Sequence, residues 1–447
     1  MIYKRYPKYK DSGEVWLGDI PEHWSIVKFN LYVNLRHGYQ FRDYDFTPEG
    51  IKIIKITQLL SSGELDTENV SFIDKSRLSE FEGILISDGD ILMALTGGTI
   101  GKIIKVKYVQ EPLLQNYRVG NFFPSSSKLN KNFLFWILSS NLILEQIFYD
   151  QRETGQPNIG KDDFNRMFFI LPDKREQVII TSFLDRETAR IDALIEKKKR
   201  QIELLKEKRA ALISHAVTKG LDPNVKMKDS GVEWLGEIPA TWTVLQIRRV
   251  TSNVTDGAHI SPDTTSQDYP FISTVDISNG VIDFESCLRT STKSFLYMKH
   301  TGCCPGQGDI LFSKDGTVGR TAIVRDEFSF AVASSLVILS PDRNRLNPIF
   351  LNYWLNGSPI QERLGVFLAG TALRRISVEK VSRLLLLLPP IAEQRDIVSF
   401  LERETSHIDK LVKMVQLSMA TLREYRTALI SAAVTGKIDV REDSYHE

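Results

Sequence analysis

The strongest pattern along the chain is a run of positions spaced alternately four and three apart. It passes through Leu184, Thr188, Ile191, Ile195, Lys198, Ile202, Leu205, Arg209, Leu212 and Ala216. Most of these positions are apolar, while the residues between them are largely charged; Lys198 of the seam lies in the run Lys197-Lys198-Lys199-Arg200. That spacing is a heptad seam. No Gly or Pro falls between Glu176 and Val217, so one helix of about 42 residues, roughly 60 Å long, is predicted there. A second seam runs through Leu401, Thr405, Ile408, Val412, Val415, Met419, Leu422, Arg426, Leu429 and Ala433. Neither helix can hide its stripe alone, so the two are expected to pack on each other as a coiled coil.

The two seams belong to a larger duplication. KDSGEVWLGDIPEHW (Lys10 to Trp24) returns as KDSGVEWLGEIPATW (Lys228 to Trp242). EQVIITSFLDRETARID from Glu176 returns as EQRDIVSFLERETSHID from Glu393, and KRAALISHAVT from Lys208 returns as YRTALISAAVT from Tyr425. A period this long excludes a solenoid, whose units run roughly 20–50 residues. Thr218-Lys219-Gly220 and Asp222-Pro223 stop the first helix, and a second globular region begins at once. An antiparallel helix pair would then relate the halves by a pseudo-two-fold axis. VTGKIDV after the second helix mirrors VTKGLDPNV after the first, so the two termini are expected to lie near each other.

The remaining segments read as mixed helix and strand. IKIIKI (Ile51 to Ile56), IIKVKYV (Ile103 to Val109), RMFFILP (Arg166 to Pro172) and RLLLLLPP (Arg383 to Pro390) have the β-branched or apolar runs and turn residues of strands. Asn132 to Phe148 and Asn347 to Leu364 have helical length and recurrence. The fold class expected is therefore α+β. Residues 1–172 and 220–390 form two similar globular domains, 173–219 and 391–433 two long helices, and 434–447 a tail. Trp16, Trp24, Trp234 and Trp242 read as core anchors pinning each globular domain to the base of a long helix.

Composition narrows the function. Lys and Arg number 57 against 56 Asp and Glu, for a net charge of +1. A chain that bound DNA tightly by itself would carry a strongly basic face, so any nucleic-acid role uses local patches or contacts shared with a partner. Cys287, Cys303 and Cys304 form no CxxC pair and have no counterparts in the first half. A disulfide framework or metal site is not expected, and a reducing cytoplasm fits. No apolar run reaches the roughly 18 residues of a membrane helix.

Catalytic signatures are missing. TGGTIGKI (Thr96 to Ile103) lacks the glycine spacing of a P-loop and the Ser or Thr after its Gly-Lys. Leu388-Pro389-Pro390-Ile391 lacks the polar residue that an amino-methyltransferase motif needs to hold its target amine. Asp173 reads as a helix cap and not as a nuclease carboxylate. The seven histidines show no ligand spacing.

What remains is a set of Gly loops and cation–amide–aromatic clusters. DGDILMALTGGTIGK (Asp88 to Lys102) matches QGDILFSKDGTVGR (Gln307 to Arg320). In each, a strand enters a Thr/Gly loop carrying Thr96, Thr99 and Lys102, or Lys314, Thr317 and Arg320. Bare backbone amides beside a cation suit phosphate. The other clusters hold Arg36, His37, Gln40 and Arg42; Asn116 and Arg118; Gln156 and Asn158; and in the second half His259, Arg374 and Arg375. Arg pairs bidentately with guanine and Asn or Gln with adenine. These residue types also suit ordinary loops. GQPNI (Gly155 to Ile159) faces ALRRI (Ala372 to Ile376) when the isoleucines are aligned.

The whole pattern resembles the specificity subunit of Type I restriction-modification systems. The duplicated WLGxIPxxW, GDIL with its Thr/Gly loop, LPxxxEQ leading into a long helix, and ALIxxAVT carry the resemblance together. It implies two target-recognition domains, each reading one half of a bipartite asymmetric site in double-stranded DNA. It also implies a coiled-coil spacer that sets the gap and docks two methylation subunits, which methylate adenine. Restriction subunits, translocases and nucleases, would join them and cleave unmodified DNA. The chain itself would hold no cofactor; S-adenosylmethionine, ATP and Mg would sit on the partners. Two other readings stay open, a stand-alone nuclease with an unrecognised site and a coiled-coil adaptor that does not read DNA.

Overall fold

The computed structural model describes residues 3–14, 17–60, 63–150, 159–278, 280–325, 328–368 and 375–442. It divides into two compact units, residues 1–198 with 417–447, and residues 199–416. Both long helices pass through both units. They run Lys174–Lys219 (46 residues) and Ile391–Val434 (44 residues), about 69 and 66 Å at 1.5 Å per residue. The first starts on Asp173, whose carboxylate accepts the backbone N–H groups of Arg175 and Glu176, both at 2.9 Å, a side-chain N-cap. It stops at Gly220, whose φ of +78° suits only glycine without strain.

Within each unit one half of each helix packs on the other, antiparallel. In the first unit Arg426 grips Asp192 with Nε and Nη2 at 2.9 and 3.2 Å. In the second, Arg209 Nε lies 3.2 Å from Asp409, the same pair displaced by one period. These ion pairs are half exposed and contribute little stability. The apolar seam contributes more, since all twenty of its positions are buried or half-buried. Leu184, Ile191, Ile195 and Leu429 are buried in the first unit, and Leu401, Ile408 and Val415 in the second.

The globular part of each unit is built from the same strands. In the first, a four-stranded antiparallel sheet runs in the order Val33–His37, Val119–Pro124, Ile91–Ala94, Ile103–Lys105. Beside it, Ile51–Ile54 pairs antiparallel with Ser71–Ile73 and parallel with Leu113–Gln115. The second unit repeats this with Thr251–Asp256, Leu336–Pro341, Ile310–Ser313 and Thr321–Ile323, and with Tyr269–Ile272 between Leu288–Thr290 and Ala331–Val332. The LLLLL run is the strand Leu385–Leu388, paired with Thr243–Gln246, as Phe168–Leu171 is with Ser25–Lys28.

The apolar stretches expected as single helices are each broken in two. Lys131–Leu138 and Asn141–Asp150 are separated by Ser139 and Ser140, whose hydroxyls donate to the carbonyls of Phe135 and Ile137 at 2.7 and 2.6 Å. Serine hydroxyls that take helix carbonyls compete with the ladder. Pro348–Asn356 and Ser358–Leu368 are separated by Gly357.

The repeated motifs fasten each globular part to its long helix. Trp24 and Trp242 are fully buried. Their indole N–H groups donate to Glu176 at 2.9 Å and Glu393 at 3.0 Å, the first turn of each helix. The next residue is Gln177 or Gln394, both wholly buried. Gln177 donates to the carbonyls of Lys128 and Pro172 and accepts from Asn130; Gln394 donates to Arg345 and Pro389 and accepts from Asn347. The EQ pair is thus a clamp and not a chemical site. Trp234 is half-buried, and Trp16 lies outside the described residues.

The termini meet inside the first unit. Asp439 N–H donates to the Lys4 carbonyl at 2.8 Å, and Lys437 Nζ caps the carbonyls of Leu17 and Asp19. Lys219 plays the same part on Glu237 in the second unit. Gly436 is a glycine by necessity: a Cβ there would sit 2.4 Å from Pro21. Among the described residues no helix is long and apolar enough to cross a membrane.

Candidate nucleic-acid interface

The loops singled out by sequence gather at one end of the four-stranded sheet in each unit. Strand Val33–His37 ends there, strand Ile91–Ala94 ends there, and strand Val119–Pro124 begins there. Five backbone hydrogen bonds knit the loops together. In the first unit Tyr39 N–H donates to Gln115, Tyr117 to Tyr39, Leu95 to Arg118, Asn116 to Ile54 and Ile159 to Leu95, all at 2.9–3.0 Å. In the second, Ala258 donates to Val332, Ser334 to Ala258, Lys314 to Ser335, Ala333 to Ile272 and Ile376 to Lys314, all at 2.8–2.9 Å. The bonds correspond one to one, so the two edges share a scaffold. They also equate Ile159 with Ile376.

One glycine makes the scaffold possible in each unit. A Cβ on Gly38 would meet the Gln115 carbonyl oxygen at 1.9 Å, and one on Gly257 the Val332 oxygen at 2.2 Å. Only a bare Cα lets the strand end lie this close to its neighbour's backbone.

The side chains on this scaffold differ between the units. In the first unit His37, Gln40, Arg42 and Arg118 are exposed, and Thr96, Thr99 and Lys102 are half-buried. Arg118 rests on its neighbour, with Nε 2.8 Å from the Tyr117 hydroxyl. Tyr39 and Tyr44 add exposed rings, Tyr44 at 84%. In the second unit the exposed groups are His259, Thr317, Arg320 and Arg375. Arg375 is held by Asp315 at 2.8 Å and His259 Nε2 by Asp256 at 2.9 Å.

A family model for the Type I restriction modification DNA specificity domain matches residues 39–204 and again 242–414. The chain belongs to this family. It is therefore a specificity subunit, the non-catalytic DNA-recognition subunit of a Type I restriction-modification system. It is 23% identical over 428 residues to the Type I restriction enzyme EcoBI specificity subunit of Escherichia coli, covering 94% of this chain and 87% of that one. Its fold matches a solved chain of the type I R-M system (TM-score 0.70, 16% identity, 94% and 99% covered). It also matches the HsdS subunit from Thermoanaerobacter tengcongensis (TM-score 0.53, 16% identity, 94% and 98% covered).

Not every residue expected to face DNA is available to a ligand. Arg36 is turned inward, with Nε and Nη2 donating to the Gln115 side chain and the Leu85 carbonyl. Asn116 is buried and its side-chain oxygen accepts the Arg118 N–H at 3.2 Å. Lys314 is 4% exposed and donates to Asp256 at 2.6 Å. All three support the edge from behind. Gln156, Asn158 and Arg374 lie outside the described residues. Sequence reasoning placed Asp256 beside His259 without giving it a role and missed Asp315; the first holds Lys314 and His259, the second Arg375. The Asp-x-x-His spacing of Asp256 and His259 was the available signal.

Partial burial pushes the Asp256 carboxyl up, but Lys314 and His259 outweigh it and hold the group below the ordinary carboxylate range. Among the described residues no group of His, Cys, Asp and Glu could hold a metal ion.

Proposed function

We propose that each unit reads one half of a bipartite, asymmetric DNA site through its sheet-end loops. The long helices set the gap between the halves and dock two methylation subunits, which methylate adenine; restriction subunits joining the complex cleave unmodified DNA. S-adenosylmethionine, ATP and Mg sit on those partners, and the assembly works in the cytoplasm. The observation that carries the reading is the pair of matched edges. One five-bond scaffold recurs in both units, yet it presents Gln40, Arg118 and Lys102 in one and His259, Ser335 and Arg320 in the other. Matched scaffolds with different side chains fit a ligand with two similar but unequal halves. Phosphate contacts shared with partner subunits fit a net charge of +1.

Replacing residues 1–172 with another recognition domain tests this. One half of the modified sequence should change and the other persist. Unchanged modification would favour an adaptor that does not read DNA, and cutting or methylation by the purified chain alone would favour an enzyme.

A further inference from the structure

The shared scaffold aligns the two units without reference to side chains. It places Leu95 where Lys314 stands, His37 where Asp256 stands and Gln40 where His259 stands. Leu95 and Lys314 make the same two backbone bonds and are equally buried, at 1% and 4% exposed. The fold at this position is thus satisfied by a leucine. A buried ammonium costs free energy unless it is paired, and even a well-paired buried ion pair is often no more stable than apolar residues of the same volume. The second unit nevertheless keeps the charged solution. Lys314 Nζ sits 2.6 Å from Asp256 Oδ2, and the same oxygen lies 2.9 Å from His259 Nε2. The His259 side chain is 66% exposed at the rim of the edge. The relay runs from a group the fold does not need to a group that faces out.

We propose that Lys314 and Asp256 are positioning residues that fix His259 as a base-reading residue of the second half-site. The inference rests on the bipartite reading above. The Asp256 carboxylate accepts from Nε2–H, which selects the ring tautomer and leaves Nδ1 as the second polar atom. Nδ1 is the atom left to meet a base edge in the major groove. The first unit has no such relay, and Gln40 takes the corresponding place.

The test uses the full chain in complex with its methylation subunits. The substrates are duplexes carrying the wild-type site and every single-base change in its second half. Wild type must discriminate in both halves; if it does not, the bipartite reading fails, and the proposal with it, before any variant is examined. His259→Ala should relax discrimination about tenfold at one base position of the second half, with the first half unaffected. Lys314→Leu should relax the same position, with a lowered melting temperature because Asp256 loses its ammonium partner. Full discrimination by His259→Ala at every position overturns the proposal. So does a uniform loss on all duplexes, the mark of a phosphate contact, or undiminished discrimination by folded Lys314→Leu. Should Lys314→Leu fail to fold, Asp256→Asn replaces it under the same two outcomes.

Discussion

The indole N–H of Trp24 donates to the Glu176 carboxylate at 2.9 Å, and both groups are buried. The same oxygen takes His23 Nε2 at 2.9 Å. One carboxylate in the first helical turn therefore anchors the start of the globular part. Glu176→Ala leaves a buried indole N–H without an acceptor. A loss of about 3 kcal/mol is expected, read as a lower melting temperature of the full chain. A loss below about 0.5 kcal/mol would show that the anchor is ornamental.

Gly257→Ala drives a methyl group into the Val332 carbonyl oxygen, 2.2 Å from the ideal Cβ. Backbone cannot yield as a flexible side chain can. The substitution should disorder the second unit's sheet-end loops and abolish discrimination in the second half-site. Retained discrimination on duplexes altered there would contradict the scaffold described above.

Ending the chain after Val434 removes the residues that bond Lys4, Tyr9, Leu17 and Asp19. All of these lie in the first unit. Hydrogen exchange should quicken in residues 3–24 and stay unchanged in residues 227–246. Equal quickening in both stretches would refute a local role for the tail.

One heptad added to the first helix near Lys198 lengthens it by about 10 Å. If the helices are the spacer, the tolerated gap in the methylated site changes or methylation is lost. An unchanged gap at unchanged efficiency counts against the ruler.

Asp256 gives a pH signature. Its carboxyl is depressed in the folded chain, so its stabilisation is complete above the unfolded value of about 4. It is lost as pH falls through the lower, folded value. The stability difference between wild type and Asp256→Asn should shrink as pH drops from about 5 to 3. Denaturant unfolding across that range checks it, and a constant difference would show that the carboxylate is not ionised through its partners.

The long helices were legible because a heptad seam is a local, periodic signal, and the Asp173 cap because capping acts over three residues. The helix breaks were not, since Ser139 and Ser140 read as mild helix residues until their hydroxyls take the carbonyls behind them. Arg36, Asn116 and Lys314 show why the edge was only half legible. Composition marks all three as ligand-facing, but their partners are tertiary: Lys314 meets Asp256 across 58 residues of sequence, and Arg36 meets Gln115 across 79. The need for glycine at Gly38 and Gly257 was not legible, because the carbonyls that forbid a side chain there lie on other strands.

The most direct measurement is a genome-wide map of methylated adenine in cells carrying this chain with its cognate methylation subunit, set against cells lacking only this chain. A new split motif, methylated on opposite strands in its two halves, is the predicted result. Identical maps, with both proteins soluble and co-purifying, would contradict the account.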